Sequence, residues 1–291
     1  VLDGTKFIAA AIPFEGEPWD IVQKGAQVKS AVPLASVLTL PATGSEANPF
    51  AVISRSETGE KLAFSSPHVY PRFSVLDPET TFSLPPRQVA NGIVDAYVHT
   101  MEQYLTFPAH AELNDRFAEA ILQTLIEVGP KTLAQPTDYD ARAAFVWTAT
   151  MALNGLIGCG VPQDWATHMI GHELTALYGI DHARTLAVVA PHLYRVLRQD
   201  KEAKLVQYGE RVWGIRQGSP QERAEEAIRR TEQFFESLGV PTRLARYEGV
   251  RADTPREVAE RLKRRGMEKL GERGAVVPPV VEEILRRSLA A

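Results

Sequence analysis

The run Asn91-Gly-Ile-Val-Asp-Ala-Tyr-Val-His-Thr-Met-Glu-Gln103 constrains this chain more than any other stretch. Asp95 and His99 stand four apart, so a helix sets them on one face, within reach of one ion. Ile93, Val94, Tyr97, Val98 and Met101 surround them, which predicts a helix that is substantially buried. Buried ionisable groups need partners or a metal, and the fold must supply one or the other.

A second stretch offers the missing groups. Asp164-Trp-Ala-Thr-His168-Met-Ile-Gly-His172-Glu contains another i, i+4 pair, and Asp181-His182 follows just past the Gly179 turn. The chain has seven histidines, and three of them fall between residues 168 and 182. One carboxylate with several imidazoles suits a divalent transition metal such as iron or zinc rather than calcium or magnesium. Taken singly, an Asp-x3-His or His-x3-His pair is more often a solvated or core pair than a site. The apolar setting of Asp95 and His99 shifts the balance towards function. His172-Glu173 opens like the zinc-peptidase signature His-Glu-x-x-His, but residue 176 is Ala, so that reading fails.

Along the chain the pattern changes once. Up to about residue 84 it reads as α/β: a helix over 5–11, a β-like run over 35–40, and short strands over 51–55 and 72–76. Asp77-Pro78 and Pro85-Pro86 punctuate the end of this region. Beyond it helices are predicted near 87–105, 111–129, 138–158, 163–178, 182–198, 201–214, 219–238, 254–265 and 277–289. A net charge of −4 argues against nucleic acid or an anionic membrane as partner. No apolar run approaches membrane-spanning length, and no signal peptide is evident. The single Cys159 is expected to be a small core residue, in keeping with a reducing cytoplasm. Arg261-Leu-Lys-Arg-Arg265 is read as a solvated helix face.

Four longer stretches carry a family resemblance: Leu38-Thr-Leu-Pro-Ala-Thr-Gly-Ser-Glu46, Leu84-Pro-Pro-Arg-Gln-Val-Ala-Asn-Gly92, Val161-Pro-Gln-Asp-Trp-Ala-Thr-His168 and Gly171-His-Glu-Leu-Thr-Ala176. In these the chain resembles the iron-containing (group III) alcohol dehydrogenases, in the branch of NADP(H)-dependent butanol dehydrogenases and broad-range aldehyde reductases. The resemblance implies a dehydroquinate synthase-like two-domain architecture. Residues 1–84 would be a remnant of a dinucleotide-binding α/β domain with an incomplete Rossmann-like parallel sheet, and 85–291 an all-α metal-binding domain. It implies metal ligands at Asp95, His99, His168 and His182. His172 matches the extra histidine beside the metal, in a proton-relay or nicotinamide-contacting role. Many relatives have Gly after the last metal histidine, where this chain has Ala183.

The same resemblance implies cofactor contacts at Asp3, Thr39, Thr43, Asn48 and Lys61, with NADP(H) ahead of NAD(H), and a cytoplasmic homodimer acting on small aldehydes and primary alcohols. On sequence alone, Lys61 reads as an exposed hairpin lysine, Asp3 as a helix N-cap and the Thr/Gly/Ser turn as a loop closure. In the family a Gly-rich turn that cradles pyrophosphate precedes Val-Leu-Asp-Gly-Thr-Lys, and this chain opens at Val1. If these residues are the whole molecule, weak or no dinucleotide binding is expected; within a longer chain, full activity is. A catalytically impaired metal-binding fragment is therefore one rival. A dehydroquinate-synthase-like lyase is the other, and it would need a basic cluster for its phosphorylated substrate. Tyr97, Phe145, Trp165, Met169 and Leu174, on or near the ligand-bearing segments, suit a small apolar aldehyde instead.

Overall fold

The computed structural model describes residues 1–58 and 60–290. The first part holds helices α1 (Leu2–Ala11) and α2 (Asp20–Gln23) and four strands: β1 (Ser36–Val37), β2 (Phe50–Arg55), β3 (Glu60–Ser65) and β4 (Ser74–Val75). Strands β1 and β4 pair in parallel, Ser36 with Ser74 and Val37 with Val75. They are shorter than the sequence pattern predicts. Pro33 and Pro41 flank β1, and a proline cannot donate to a ladder.

The larger pairing is antiparallel. Strands β2 and β3 form a hairpin from Phe50 opposite Ser65 to Arg55 opposite Glu60. This corrects the expectation of a purely parallel remnant. Strand β3 was not predicted, because in Glu-Lys-Leu-Ala-Phe-Ser only Phe64 is buried and no alternation marks it. Ala9, Ala10, Trp19, Ile21, Leu34, Ala51, Phe64 and Val69 form the core of this part.

The helical part contains α3 (Pro86–Tyr104), α4 (Glu112–Ala134), α5 (Tyr139–Ala152), α6 (Ala166–Tyr178), α7 (His182–Val196), α8 (Arg198–Trp213), α9 (Pro220–Ser237), α10 (Thr254–Arg264) and α11 (Pro278–Leu289). All the expected helices occur. Helix α4 runs through Pro130, where the prediction stopped; the last turn stays helical with Thr132 fully buried. Helix α5 ends at Ala152, short of its predicted end at 158, and the loop that follows leaves Cys159 exposed rather than in the core.

Helix α3 is the axis of this part, buried from Val89 to Tyr104 and packed on α4, α5 and α7. Two glycines permit close approaches to the elements that carry the ligands. A Cβ on Gly92 of α3 would lie 2.2 Å from the carbonyl oxygen of Pro41, and one on Gly171 of α6 would lie 2.8 Å from Thr185 Oγ1 of α7. The two parts are joined by polar contacts: Thr150 Oγ1 donates to Glu46 Oε1 at 2.5 Å, and Asn48 Nδ2 donates to the Leu153 carbonyl at 3.1 Å. No helix among the described residues is long and apolar enough to cross a membrane.

Candidate metal centre

Three helices deliver the predicted ligands to one place. Helix α3 carries Asp95 and His99, α6 carries His168 and His172, and His182 is the first residue of α7. Donor atoms of Asp95, His99 and His168 all lie within 4.8 Å of one another, and all three residues are buried. His99 Nδ1 stands 3.8 Å from Asp95 Oδ2, and His182 Nε2 stands 3.7 Å from Asp95 Oδ1. The His99 and His168 rings stack at 4.6 Å, and the His182 ring is 5.2 Å from His168. His172 sits beside this group, its ring 5.0 Å from His182 and 6.3 Å from His168.

The local sequence explains the placement. Helix α6 starts where Asp164 Oδ1 accepts from the Ala166 N–H at 2.9 Å, after Trp165 turns the chain in the left-handed conformation at φ 63°. Helix α7 starts at His182 because Asp181 is anchored by Arg87 Nε at 2.7 Å and Asn91 Nδ2 at 2.8 Å. Asn91 and Asp95 are one turn apart on α3, so the same face holds both a ligand and the anchor of the next ligand's helix.

The electrostatics suit a cation. Burial holds His99 and His168 down to about 4 and His172 down to about 2, and it holds His182 well below the usual histidine range; Lys61 adds to the depression of His168, His172 and His182. Neutral imidazoles are the ligand form. Asp95 Oδ1, His99 Nδ1, His168 Nε2 and His182 Nδ1 are buried without any hydrogen-bond partner. Unpartnered buried donors and acceptors are costly, and a divalent cation among them would satisfy the carboxylate and the ring nitrogens facing it. The residues present fit such an ion.

The implied cofactor residues divide. Thr39 and Thr43 are exposed, and Thr43 Oγ1 accepts from the Ser45 N–H at 3.4 Å. Lys61, on β3, is half-buried rather than an exposed hairpin lysine, and its charge acts on Asp95 as well as the imidazoles. Asn48 is buried, and its amide is used internally: Oδ1 accepts from Lys6 Nζ and the Phe50 N–H, while Nδ2 donates to the Thr43 and Leu153 carbonyls. Asp3 is not the N-cap of α1. Its oxygens accept from Ser45 Oγ at 2.6 Å and the Val52 N–H at 2.8 Å, tying the helix to the turn and the hairpin.

Of the aromatic and apolar residues expected near the ligands, Tyr97, Phe145 and Leu174 lie in the core, whereas the Trp165 ring is 5.2 Å from that of His168. The basic stretch after Arg261 is not wholly solvated: Arg261 Nε and Arg265 Nη1 each lie 2.6 Å from the buried Glu173 carboxylate, clamping α10 to α6. Sequence reasoning overlooked Glu102. It is buried, its Oε1 accepts from the Thr167 N–H at 2.7 Å, and its Oε2 meets His168 Nδ1. Its position, three residues beyond His99 and seven beyond Asp95, puts it on the ligand face of α3.

Comparison with known proteins agrees with this geometry. Residues 1–78 match the iron-containing alcohol dehydrogenase model, and 89–286 match the C-terminal model of the Fe-containing alcohol dehydrogenase family. The chain belongs to the iron-containing alcohol dehydrogenase family. Among individual relatives, it is 60% identical over 275 residues to the NADPH-dependent aldehyde reductase YqhD of Escherichia coli K12, covering 94% of this chain and 71% of that protein. It is 39% identical over 289 residues to NADH-dependent butanol dehydrogenase A of Clostridium acetobutylicum, covering 99% of this chain and 74% of that one. The crystal structure of E. coli YqhD superposes with a TM-score of 0.96 at 56% identity, covering 99% of this chain and 74% of that one. The Thermotoga maritima structure of an NADH-dependent butanol dehydrogenase A gives a TM-score of 0.93 at 31% identity, over 100% of this chain and 74% of that one.

Proposed function

We propose that this chain interconverts small aldehydes and primary alcohols with NADP(H), at an iron or zinc ion held by Asp95, His99, His168 and His182. The observation that carries this reading is the convergence of buried, unpartnered donor atoms of Asp95, His99 and His168 from two helices on one point, with His182 Nε2 of a third helix 3.7 Å from Asp95 Oδ1. Bound there, the cation supplies Lewis-acid polarisation of a carbonyl, and the reduced nicotinamide supplies hydride. The chain's own residues supply position and proton. His172 is neutral and only half-buried beside His182, so one ring nitrogen can give a proton to the substrate oxygen while the other draws on solvent. The Trp165 ring lies against His168 and His99 and shields the ligands from water. The exposed Thr39 hydroxyl, the Thr43 hydroxyl, which still has a hydrogen to donate, and the Lys61 ammonium are the groups offered to the cofactor.

The substrate class follows from charge. Lys61 and Arg265 are the cations that act on His172, and Arg265 is engaged by Glu173. That leaves little for a phosphorylated substrate and favours a neutral aldehyde over the lyase reading.

The test is an anaerobic preparation assayed for metal content, NADPH binding by fluorescence, and NADPH consumption with butanal. About one cation per chain is expected, as a single four-ligand site predicts, together with saturable NADPH binding and turnover. His168→Ala or His182→Ala should abolish cation retention and turnover; full retention after either change would refute the ligand assignment. Cation without NADPH binding would leave the metal site standing and remove the oxidoreductase reading for this chain.

A further inference from the structure

We infer that Glu102 is a positioning residue for His168, holding Nδ1 so that Nε2 faces the cation; this rests on the metal reading above. Glu102 lies on α3, two turns beyond Asp95, and is 1% exposed. Its two carboxylate oxygens have separate partners. Oε1 accepts from the Thr167 backbone N–H at 2.7 Å, and Oε2 meets His168 Nδ1.

The approach to α6 is fastened at the same residue. The Asp164 N–H donates to the Glu102 carbonyl at 2.9 Å, and Lys201 Nζ holds the Asp164 carboxylate at 2.8 Å. Lys201 in turn holds Glu272 at 2.9 Å and the Leu105 carbonyl at 2.6 Å, so the connection is buried and braced from both ends.

Burial and Asp164 push the Glu102 carboxyl up to about 8 before any cation binds. With a cation in place, a neutral imidazole keeps its one hydrogen on Nδ1, where the carboxylate accepts it, and offers its one lone pair from Nε2. That atom is the one found buried without a partner in the ligand cluster. Carboxylates behind metal-binding histidines recur because they set ring orientation and basicity together.

Glu102→Gln separates orientation from bulk. The Thr167 N–H still needs an acceptor, so the amide oxygen takes the place of Oε1 and the NH₂ group faces His168 Nδ1. Nδ1 must then accept, the ring hydrogen moves to Nε2, and the coordinating lone pair is lost, with side-chain size unchanged.

The experiment titrates cation-free wild type and E102Q with Zn(II) under chelator competition, alongside melting curves of both cation-free proteins and ¹⁵N-histidine spectra of the zinc-loaded ones. Zinc affinity in E102Q is expected to fall about 10–100-fold, with the cation-free melting temperature little changed and wild-type His168 bound to zinc through Nε2. Equal zinc affinity in the two proteins overturns the inference and leaves the metal site standing. A wild type that binds no zinc and no Fe(II) overturns the metal reading itself. If E102Q does not fold, the zinc-loaded wild-type spectrum decides alone: zinc carried by His168 Nδ1 rather than Nε2 refutes the role given to Glu102.

Discussion

Lys6 has no exposed surface, and its ammonium donates to the Asn48 carbonyl at 2.8 Å, Asn48 Oδ1 at 3.2 Å and the Phe50 carbonyl at 2.8 Å. Burial lowers it from 10.5 to about 8 despite Asp3 and Glu46 nearby. Between those values the unfolded chain holds a proton that the native state has released, so stability rises with pH across that window. Below pH 8 both states are protonated and the desolvation penalty, about 3 kcal/mol at 1.36 kcal/mol per unit, is fully present. The stability of wild type minus that of Lys6→Met should therefore climb by about this amount from pH 8 to 10.5. Urea titrations of both proteins across the range would measure it, and a flat difference would refute it. The sequence could not announce Lys6, or Glu102, because nothing local says which lysine or glutamate will be enclosed. Asp95 and His99 stood out through apolar neighbours and helical spacing, whereas spacing pairs His168 with His172 and only the family resemblance singles out His168 and His182 as the further candidate ligands. Asp3 and Asn48 were marked by resemblance, and the fold engages both in internal bonds that no spacing reveals.

At the scale of elements, the helices were readable from their apolar periodicity, and α3, α9, α10 and α11 also open on proline; Ser219 with Glu222 even forms a reciprocal capping box on α9. The strands were less so. Two-residue β1 and β4, and a β3 with one buried side chain, leave no alternation to read. Close approach between elements was invisible too, and it matters for the site. Gly92 lies one turn before Asp95, and its missing Cβ is what allows Pro41 to approach α3. Gly92→Ala sets a methyl against a backbone carbonyl and near Phe145, so overpacking should cost about 1–3 kcal/mol or more and tilt Asp95 and His99 away from α6. Reduced stability in urea together with weaker zinc binding is the expected result. Gly4→Ala is the matched contrast: nothing lies within 4 Å of the added carbon. Replacing this glycine in the first turn of α1 should stabilise by at most roughly 0.5–1 kcal/mol. A Gly92→Ala protein as stable as Gly4→Ala would show that the approach at Pro41 is loose.

For the molecule as a whole, the two cores are separate clusters, one confined to residues before Tyr70 and one running from Val89 to Leu285. The proposed ligands come from the second, while Lys61, which bears on them, stands on a hairpin of the first. Cofactor and cation can cooperate only if the seam is stiff. Its polar fastening is the buried Thr150–Glu46 bond and the Asn48–Leu153 bond, with Asn48 also holding Lys6 of α1. Loading the cation site at about 100 times its dissociation constant should stabilise the native state by about 2.7 kcal/mol. If the seam transmits that constraint, amide exchange slows in α3, α6 and α7 and also in α1 and β2. Thr150→Val removes the donor to Glu46 and leaves a buried carboxylate short of a partner, so in that variant the slowing should stop at the helices. Hydrogen-exchange mass spectrometry with and without zinc would show both patterns. Protection confined to the helical part in the wild type would mean that the cation and the hairpin bearing Lys61 are held independently.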